Sequence, residues 1–214
     1  MTNRPILLMG VTDYAAVFLD TFEAVSGAEF VGFVQNLGPS HPVAPILGRP
    51  IFWTGDIGTF RDTHDLICVL ATTRRRAWIE ELEVVGFRFA SLVHPSCSVS
   101  RRSELGFGVS VEAGGVIVGF SAIGDHCRIG RRVSIGHQTV IGRCSTIHPG
   151  AVVSGNCTIG QQVIIGTGAV VIDGVQIGDG AFIAAGALVT KDVPAGALFA
   201  GHPGRVVKPD YGPR

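Results

Sequence analysis

The chain has 214 residues, 46% of them hydrophobic, and its 17 basic side chains balance 17 acidic ones, so the formal net charge is zero. This apolar content excludes a disordered chain, and the neutral balance excludes the basic surface typical of nucleic-acid-binding proteins. No apolar run approaches the roughly 20 residues of a membrane-spanning helix, so we expect no membrane span.

The first residues, MTNRPILLMG, lack the long apolar stretch of a secretory signal. The chain has five cysteines and no CxxC pair. An odd number of cysteines without a signal peptide is typical of reduced thiols, and we therefore expect a cytoplasmic protein.

Residues 1–92 alternate between short apolar runs and stretches with helical spacing of apolar residues. We predict strands over 5–9, 29–34, 66–71 and 87–93, helices over 13–25 and 74–85, and a Gly- and Pro-rich loop over 36–49. Strands that alternate with helices predict a small parallel sheet with helices packed outside it.

Ligands of such sheets bind at the carboxyl ends of the strands. The residues expected there, as a substrate-binding set, are Thr12, Asp13, Tyr14, Gln35, Asn36 and Ala71. The segment GVTDY after the first strand contains one glycine, whereas a dinucleotide fingerprint requires three. It has two interpretations, a turn in which Thr12 or Asp13 caps the following helix, or a direct ligand contact.

A repeat with a period of six occupies the rest of the chain. From Val93 to Val189, every sixth residue is Val, Ile or Leu, and the residue four places after each is small or Val. A period of six excludes a helix, whose apolar positions recur every 3.6 residues. It predicts short strands with one large and one small inward side chain, and three such repeats form one triangular coil. Residues 93–194 would therefore build between five and six coils of a parallel β-helix.

Many side chains predicted to point outward from this β-helix are apolar. They are Val116, Val118, Phe120, Val140, Val152, Ile164, Val170, Ile172 and Phe182. Because exposed apolar rows are typical of protein interfaces, we expect one β-helix to pack against another in a homo-oligomer.

Both halves together resemble the PglD/NeuD-type sugar acyltransferases of the hexapeptide-repeat class. The resemblance rests on PILLMG, FVGFVQN, LGRPIFWTGDI, SLVHPSCSVS, the repeat, and VTKDVPAGALFAGHPGRVVK. It implies a Rossmann-like nucleotide-sugar-binding domain over 1–92 and a left-handed β-helix over 93–194. It also implies that a tail over 195–214 contributes to an acyl-CoA cleft.

The resemblance further implies a homotrimer that uses acetyl-CoA, or another short acyl-CoA, as its co-substrate. The implied reaction is N-acylation of a nucleotide-linked amino sugar, by direct transfer. Two alternatives remain, a sugar O-acyltransferase and a non-catalytic scaffold that binds sugar nucleotide or CoA.

The segment IGHQTVIG over 135–142 is similar to the catalytic strand of the family and maps its general base to His137. Imidazole suits this role because it accepts a proton near neutral pH. The family commonly has a carboxylate at the next position, where this chain has Gln138. Asp125 and Glu112 are candidate substitutes for that carboxylate.

The resemblance maps acyl-CoA contacts to Thr146 or His148, Gly155, Thr167 and Ala185, with the Gly155 N–H as oxyanion donor. His126, His137 and His148 are equally spaced along the chain, which also invites a zinc-site interpretation. Stacked contacts in such a β-helix recur at every third repeat, however, and the spacing of the histidines does not match that period. These histidines should therefore lie on different faces, and we expect no metal.

Overall fold

A computed structural model describes residues 4–26, 29–38, 40, 44–72 and 75–212. The loop predicted over 36–49 and the helix predicted from residue 74 lie partly outside these residues. The chain divides into two compact units. Unit 1 lies within 1–71 and 75–92, and unit 2 runs from residue 93 onward together with Thr72.

Unit 1 is a small α/β domain. Its elements are β1 (Ile6–Met9), α1 (Asp13–Ser26), β2 (Phe30–Gln35), β3 (Ile51–Trp53), a 3₁₀ helix (Thr54–Phe60), β4 (Asp65–Cys68), α2 (Arg75–Val84) and β5 (Arg88–Phe89). The strands form one parallel sheet in the order β3-β2-β1-β4-β5. The small parallel sheet expected from alternating strands and helices is therefore present, in agreement with the Rossmann-like domain that the resemblance implies.

The helix α1 packs on this sheet through one apolar face. Phe18, Leu19 and Phe22 recur at helical spacing and are fully buried with Ile6 and Leu8 of β1. Burial of apolar surface of this kind is the main favourable contribution to the stability of the unit.

Two predictions for unit 1 require correction. The predicted elements do not include β3 and the 3₁₀ helix, because the three residues of β3 at the sheet edge are only partly buried and lack a clear alternation. The strand predicted over 87–93 is two strands. The first, β5, extends the sheet of unit 1, whereas β6 (Leu92–Val93) belongs to a sheet of the repeat.

Unit 2 is a left-handed parallel β-helix. After β6 its two-residue strands are β7 (Ser98–Val99), β8 (Glu104–Leu105), β9 (Ser110–Val111), β10 (Val116–Ile117), β11 (Ala122–Ile123), β12 (Arg128–Ile129), β13 (Ser134–Ile135), β14 (Val140–Ile141), β15 (Thr146–Ile147), β16 (Val152–Val153), β17 (Thr158–Ile159), β18 (Ile164–Ile165), β19 (Val170–Val171), β20 (Gln176–Ile177), β21 (Phe182–Ile183) and β22 (Leu188–Val189). They form three parallel sheets in which each strand pairs with the strand three places later. Ile117, for example, pairs with Ile135, which lies three repeats further along the chain.

The repeat supplies the core of the β-helix. From Val111 to Val189, every repeat aliphatic is at most 2% exposed, whereas Val93, Val99 and Leu105 of the first coil are only partly buried. The small inward positions are buried with them, as Thr139 and Ser145 illustrate. Two inward rows of different size therefore fill the interior, as the period of six predicted.

Glycines and left-handed residues occupy different positions of each turn. The glycine directly after an aliphatic allows the next coil to approach, since a Cβ at Gly142 would lie 2.6 Å from the backbone N of Gln161. The positive φ falls three residues after the aliphatic, at 56° for Gln138 and 54° for Asn156. The repeat glycine is thus needed for close coil packing, whereas the turn itself forces residues such as Gln138 into the left-handed region.

The tail closes the last coil with a hairpin of β23 (Leu198–Gly201) and β24 (Gly204–Lys208). β23 pairs with β21, and the fully buried Phe199 joins the core. Two of the side chains predicted to point outward are covered by other residues of this chain. Ile164 is only 5% exposed, and the Phe182 ring packs against Tyr211 of the tail. None of the described helices is long and apolar enough to cross a membrane.

Candidate active site

The turns of the β-helix stack into columns, and one of these contains His137. We call residues 119–120, 137–138, 155–156 and 173–174 the His137 corner. Backbone hydrogen bonds join its coils, from Gln138 N to Gly119 O at 3.2 Å and from Asn156 N to His137 O at 2.8 Å. The next bond runs from residue 174 N to Gly155 O. Side chains at this corner are therefore held at fixed heights on a rigid scaffold.

His137 is exposed, and its imidazole contacts the neighbouring amide side chain. Nδ1 of His137 lies 3.2 Å from Oε1 of Gln138. An amide oxygen can only accept a hydrogen bond, so Nδ1 carries the proton in this arrangement. Nε2 then has a free lone pair and can accept a proton from a substrate.

Gly155 lies directly below the imidazole, one coil further along. A Cβ at this position would lie 2.6 Å from Cε1 and 2.7 Å from Nε2 of His137. Any side chain here would therefore displace the imidazole. Within the described part of the chain, the backbone N–H of Gly155 makes no hydrogen bond. The corner thus combines a candidate base with an unused backbone donor.

A carboxylate that sequence analysis did not select completes this corner. The same Cβ position at Gly155 lies 2.9 Å from Oδ1 of Asp173. The side-chain amide of Asn156 donates to both oxygens of that carboxylate, at 3.2 Å and 3.4 Å. The signal that could have found Asp173 is its spacing, because it follows His137 by six repeats, which is two full coils.

The two carboxylates considered as substitutes for the missing one lie at other corners. Glu112 is buried in ion pairs with Arg128, at 3.1 Å, and Arg131, at 3.4 Å. Asp125 accepts a hydrogen bond from the backbone N–H of Phe107 at 3.1 Å. Both carboxylates have partners of their own and follow strands of sheets other than the one that leads into the His137 corner.

The predicted acyl-CoA positions divide between two corners. Gly155 lies at the His137 corner, whereas Thr167 and Ala185 are exposed on successive coils of another corner, joined by the hydrogen bond from Gly186 N to Thr167 O. His148 begins the turn that precedes Thr167 on that corner and is partly buried. Thr146 is only 4% exposed, which leaves little of its side chain for a ligand.

The three equally spaced histidines follow strands of three different sheets. His126 comes after β11, His137 after β13 and His148 after β15. In the part of the chain that the structure describes, no group of three or more His, Cys, Asp or Glu side chains is arranged to hold a metal ion.

Cysteine is a poor candidate nucleophile at this corner. Cys157 follows Asn156 but is buried, and its Sγ donates to the carbonyl of Ile172 at 3.2 Å. Burial raises the pKa of the Cys157 thiol, which disfavours the reactive thiolate. These observations favour direct transfer over a covalent acyl-enzyme.

Exposed apolar side chains surround the His137 corner. They are Val116, Val118, Phe120, Val140, Val152, Val170 and Ile172, each at least 36% exposed. Phe120 lies at the corner itself, and the others lie on the strands that flank it or directly after them. Apolar surface of this extent around a polar centre is typical of an interface with another protein chain.

A separate hollow lies in unit 1 at the carboxyl ends of β1, β2 and β4. It has a volume of about 170 Å³ and is lined by Gly10, Val11, Thr12, Gln35, Asn36, Leu37, Leu70 and Trp78. An adjoining hollow of about 320 Å³ shares Val11 and Thr12 and includes Asp13. The structure thus brings Thr12, Gln35 and Asn36 together, with Asp13 nearby.

Three residues predicted to bind substrate in unit 1 have other surroundings or partners. Gln35 is buried, donates to the carbonyl of Gly38 at 2.8 Å and accepts from the N–H of Leu37 at 2.6 Å. It therefore shapes the rim of the hollow through its own loop. Tyr14 packs against the core of unit 1, and Ala71 does not line either hollow.

Comparison with known families identifies the repeat. The family described as Bacterial transferase hexapeptide (six repeats) matches residues 120–155 and 156–191. These ranges include His137, Gly155 and Asp173. No curated protein sequence matches the chain.

Solved structures match nearly the whole chain. A mutant of perosamine N-acetyltransferase from Caulobacter crescentus, in complex with CoA and GDP-perosamine, is 26% identical with a TM-score of 0.88 and covers 96% of this chain and 97% of its own. The acetyltransferase domain of PglB from Neisseria gonorrhoeae FA1090, in complex with acetyl coenzyme A, is 26% identical with a TM-score of 0.86 and covers 96% and 100%. WeeI from Acinetobacter baumannii AYE, at 24% identity, 95% and 99% coverage and a TM-score of 0.73, shares the fold.

Proposed function

We propose that this chain, a PglD/NeuD-type sugar acyltransferase built on hexapeptide repeats, transfers the acetyl group of acetyl-CoA to the amino group of a nucleotide-linked amino sugar. The similar structures support this choice, since one contains CoA with GDP-perosamine and another contains acetyl coenzyme A. The observation that carries the proposal is the His137 corner, where a histidine with an acceptor Nε2 stands over Gly155 and its unused N–H.

His137 acts as the general base in this proposal. At neutral pH the amino group of the acceptor is an ammonium, and it loses one proton to solvent before it attacks. Its nitrogen then forms a bond to the thioester carbonyl carbon, and Nε2 of His137 takes a second proton from that nitrogen. The C–S bond breaks, and the imidazolium returns its proton to the CoA thiolate, so the histidine is again neutral.

Gln138 and Gly155 support this step. Gln138 accepts a hydrogen bond from Nδ1–H and so keeps the lone pair of His137 on Nε2. The carbonyl oxygen of the thioester becomes negative as the nitrogen attacks, and the Gly155 N–H is the nearby donor that would stabilise it. Loss of one such donor typically costs about 10²–10³ in rate.

The hollow in unit 1 is the proposed nucleotide site. Ligands of parallel α/β sheets bind at the carboxyl ends of strands, where Thr12 and Asn36 line the hollow. Gln35 fixes the loop at its rim. Thr167, Ala185 and His148 remain proposed contacts of acyl-CoA, and Thr146 is not needed for this role.

A homotrimer is the proposed assembly. The exposed valines and Phe120 around the His137 corner would be covered by a neighbouring subunit, which would also exclude water from the reaction. The five cysteines all lie within the described residues and form no disulfide, which fits the proposed cytoplasmic location.

Thiol release from acetyl-CoA tests the proposed function. We expect release with UDP-, GDP-, dTDP- or CMP-linked amino sugars and none with the corresponding sugar nucleotides that lack an amine. A thermal-shift screen of the same compounds identifies the nucleotide, since a ligand at 100 times its Kd stabilises the fold by about 2.7 kcal/mol. Absence of thiol release with every amino sugar, despite measurable binding, would favour the non-catalytic scaffold.

A further inference from the structure

We propose that Asp173 binds the amino group of the acceptor and makes the site selective for amines over hydroxyls. This inference rests on the proposed acyl transfer at His137. It names the substrate group that the Asp173 side of the site recognises. It assigns a role to the carboxylate that Asn156 holds at the His137 corner.

The gap between Asp173 and His137 can hold one nitrogen atom that makes a hydrogen bond to each. Nε2 of His137 lies 2.7 Å, and Oδ1 of Asp173 2.9 Å, from the point where a Cβ of Gly155 would stand. The two atoms are therefore at most about 5.6 Å apart. A nitrogen between them, outward from the Gly155 Cα, can make a hydrogen bond of about 2.8 Å to each.

The number of protons on the acceptor atom then decides which acceptors fit. A neutral amine has two N–H bonds, so it can donate one to Asp173 and one to His137 while its lone pair remains free for attack. A hydroxyl has one O–H bond and must leave either the carboxylate or the base without a donor. A site built to hydrogen-bond the hydrogens of its substrate rejects analogues that lack them.

The hydrogen bonds of Asp173 differ from those of aspartates in equivalent turns. Asp125 and Asp179 each follow a repeat aliphatic by two residues, as Asp173 does, and each accepts a backbone N–H from the coil before, at 3.1 Å and 2.9 Å. The corresponding donor for Asp173 would be the Gly155 N–H, which makes no hydrogen bond in the described part of the chain. The carboxylate is instead held by the Asn156 side chain and directed towards the gap.

The charge of Asp173 also favours an amino group. Sugar amines are largely protonated near neutral pH, and a carboxylate forms charge-assisted hydrogen bonds with an ammonium. A hydroxyl acceptor gains no such attraction. Asp173 would therefore lower KM for the amine acceptor, while His137 controls the chemical step.

The test compares amine and hydroxyl acceptors in Asp173→Asn, a change that keeps the shape of the side chain. The probes are GDP-perosamine, or the amino-sugar nucleotide with the highest turnover in the screen above, and its counterpart with a hydroxyl in place of the amine. Asp179→Asn is the matched control, because Asp179 occupies the same turn position at a different corner and also approaches a glycine of the coil before.

We expect Asp173→Asn to raise KM for the amine acceptor about tenfold or more and to reduce the amine-to-hydroxyl ratio of kcat/KM by at least that factor. The KM for acetyl-CoA and the melting temperature should stay close to wild type, and Asp173→Glu should recover part of the ratio. A merely structural role would lower both rates together and leave the ratio unchanged.

Two results would overturn the inference separately. An active wild type whose amine-to-hydroxyl ratio is the same in Asp173→Asn removes the role of Asp173 and leaves the proposed function intact. A wild type that acetylates no amino-sugar nucleotide removes the proposed function, and this inference with it.

Discussion

Nδ1 of His137 and the side-chain oxygen of Gln138 lie 3.2 Å apart at one turn of the β-helix. Gln138 has a φ of 56°, and this left-handed conformation belongs to the turn that places its amide beside the imidazole. A neutral amide can orient the ring, but it cannot stabilise a positive charge on it as a carboxylate would. This contact makes position 138 the most direct place to alter the proposed base.

Gln138→Glu should move the acid limb of the pH–rate profile to higher pH. A carboxylate at this position stabilises the protonated imidazole, so a higher pH is needed before His137 is neutral and can act as a base. Gln162→Glu is the control, since Gln162 has a φ of 54° at the same turn position of another corner. An acid limb that stays in place would indicate that another group, not His137, controls this limb.

His137→Ala should reduce kcat by about 10²–10⁴, the usual contribution of a general base. Affinity for acetyl-CoA, measured by calorimetry, should change little, because the substitution removes the proton acceptor and leaves the backbone of the corner in place. His64→Ala, in unit 1, provides a histidine control outside the proposed machinery. Full activity of His137→Ala would exclude His137 as the base.

Gly155→Ala should inactivate the enzyme while the β-helix remains folded. The new Cβ would lie within 3 Å of His137 and of Asp173, so both side chains must move away from the gap. Steady-state kinetics and a thermal melt distinguish this effect from unfolding. At Gly119, two coils before Gly155 on the same corner, a Cβ would meet only Ser100, so Gly119→Ala should keep its activity. Equal activity in the two variants would contradict the proposed gap.

Ile159→Asp should unfold the β-helix. Ile159 is 1% exposed in the inward row, and an unpaired carboxylate there costs several kcal/mol. Thr158→Asp, on the same strand but exposed, should fold normally. Circular dichroism during thermal unfolding measures the melting temperature of both variants. Equal melting temperatures would be incompatible with an inward Ile159 and an outward Thr158.

Val152→Glu should separate the proposed trimer into smaller species and abolish activity at the same time. Val152 is an exposed apolar side chain beside the His137 corner, and a charge there would be desolvated in an interface. Val84→Glu, on the exposed face of α2, should leave mass and activity unchanged. Light scattering measures the mass, and a monomeric wild type at micromolar concentration would refute the trimer.

Much of the fold can be read from the sequence because its signals are local and periodic. A period of six assigns Ile135 and Thr139 to the inside of the β-helix without reference to any other part of the chain. The helix α1 was predictable for the same reason, from the spacing of Phe18 and Phe22. The strand β3 was not, because its three partly buried residues acquire strand geometry only by pairing with β2.

The candidate site could be predicted only in part. The positions of His137 and Gly155 followed from the resemblance to a known family, and the stacking of every third repeat then places Gly155 one coil after His137. The partners of these residues could not be assigned in this way. Glu112 and Asp125 were reasonable carboxylates by sequence, yet the structure pairs them with Arg128 and with a backbone N–H.

The sequence alone therefore determined which residues face the core and how the coils stack. Every sixth residue is an aliphatic that faces inward, and three repeats form one coil. Only the tertiary structure decided which side chains meet. Asp173 lies two coils beyond His137, and the two face one gap because the coil between them has no side chain at Gly155. Such an encounter depends on the direction of each side chain as well as on the stacking of the coils, and that direction is not encoded within a single stretch of the chain.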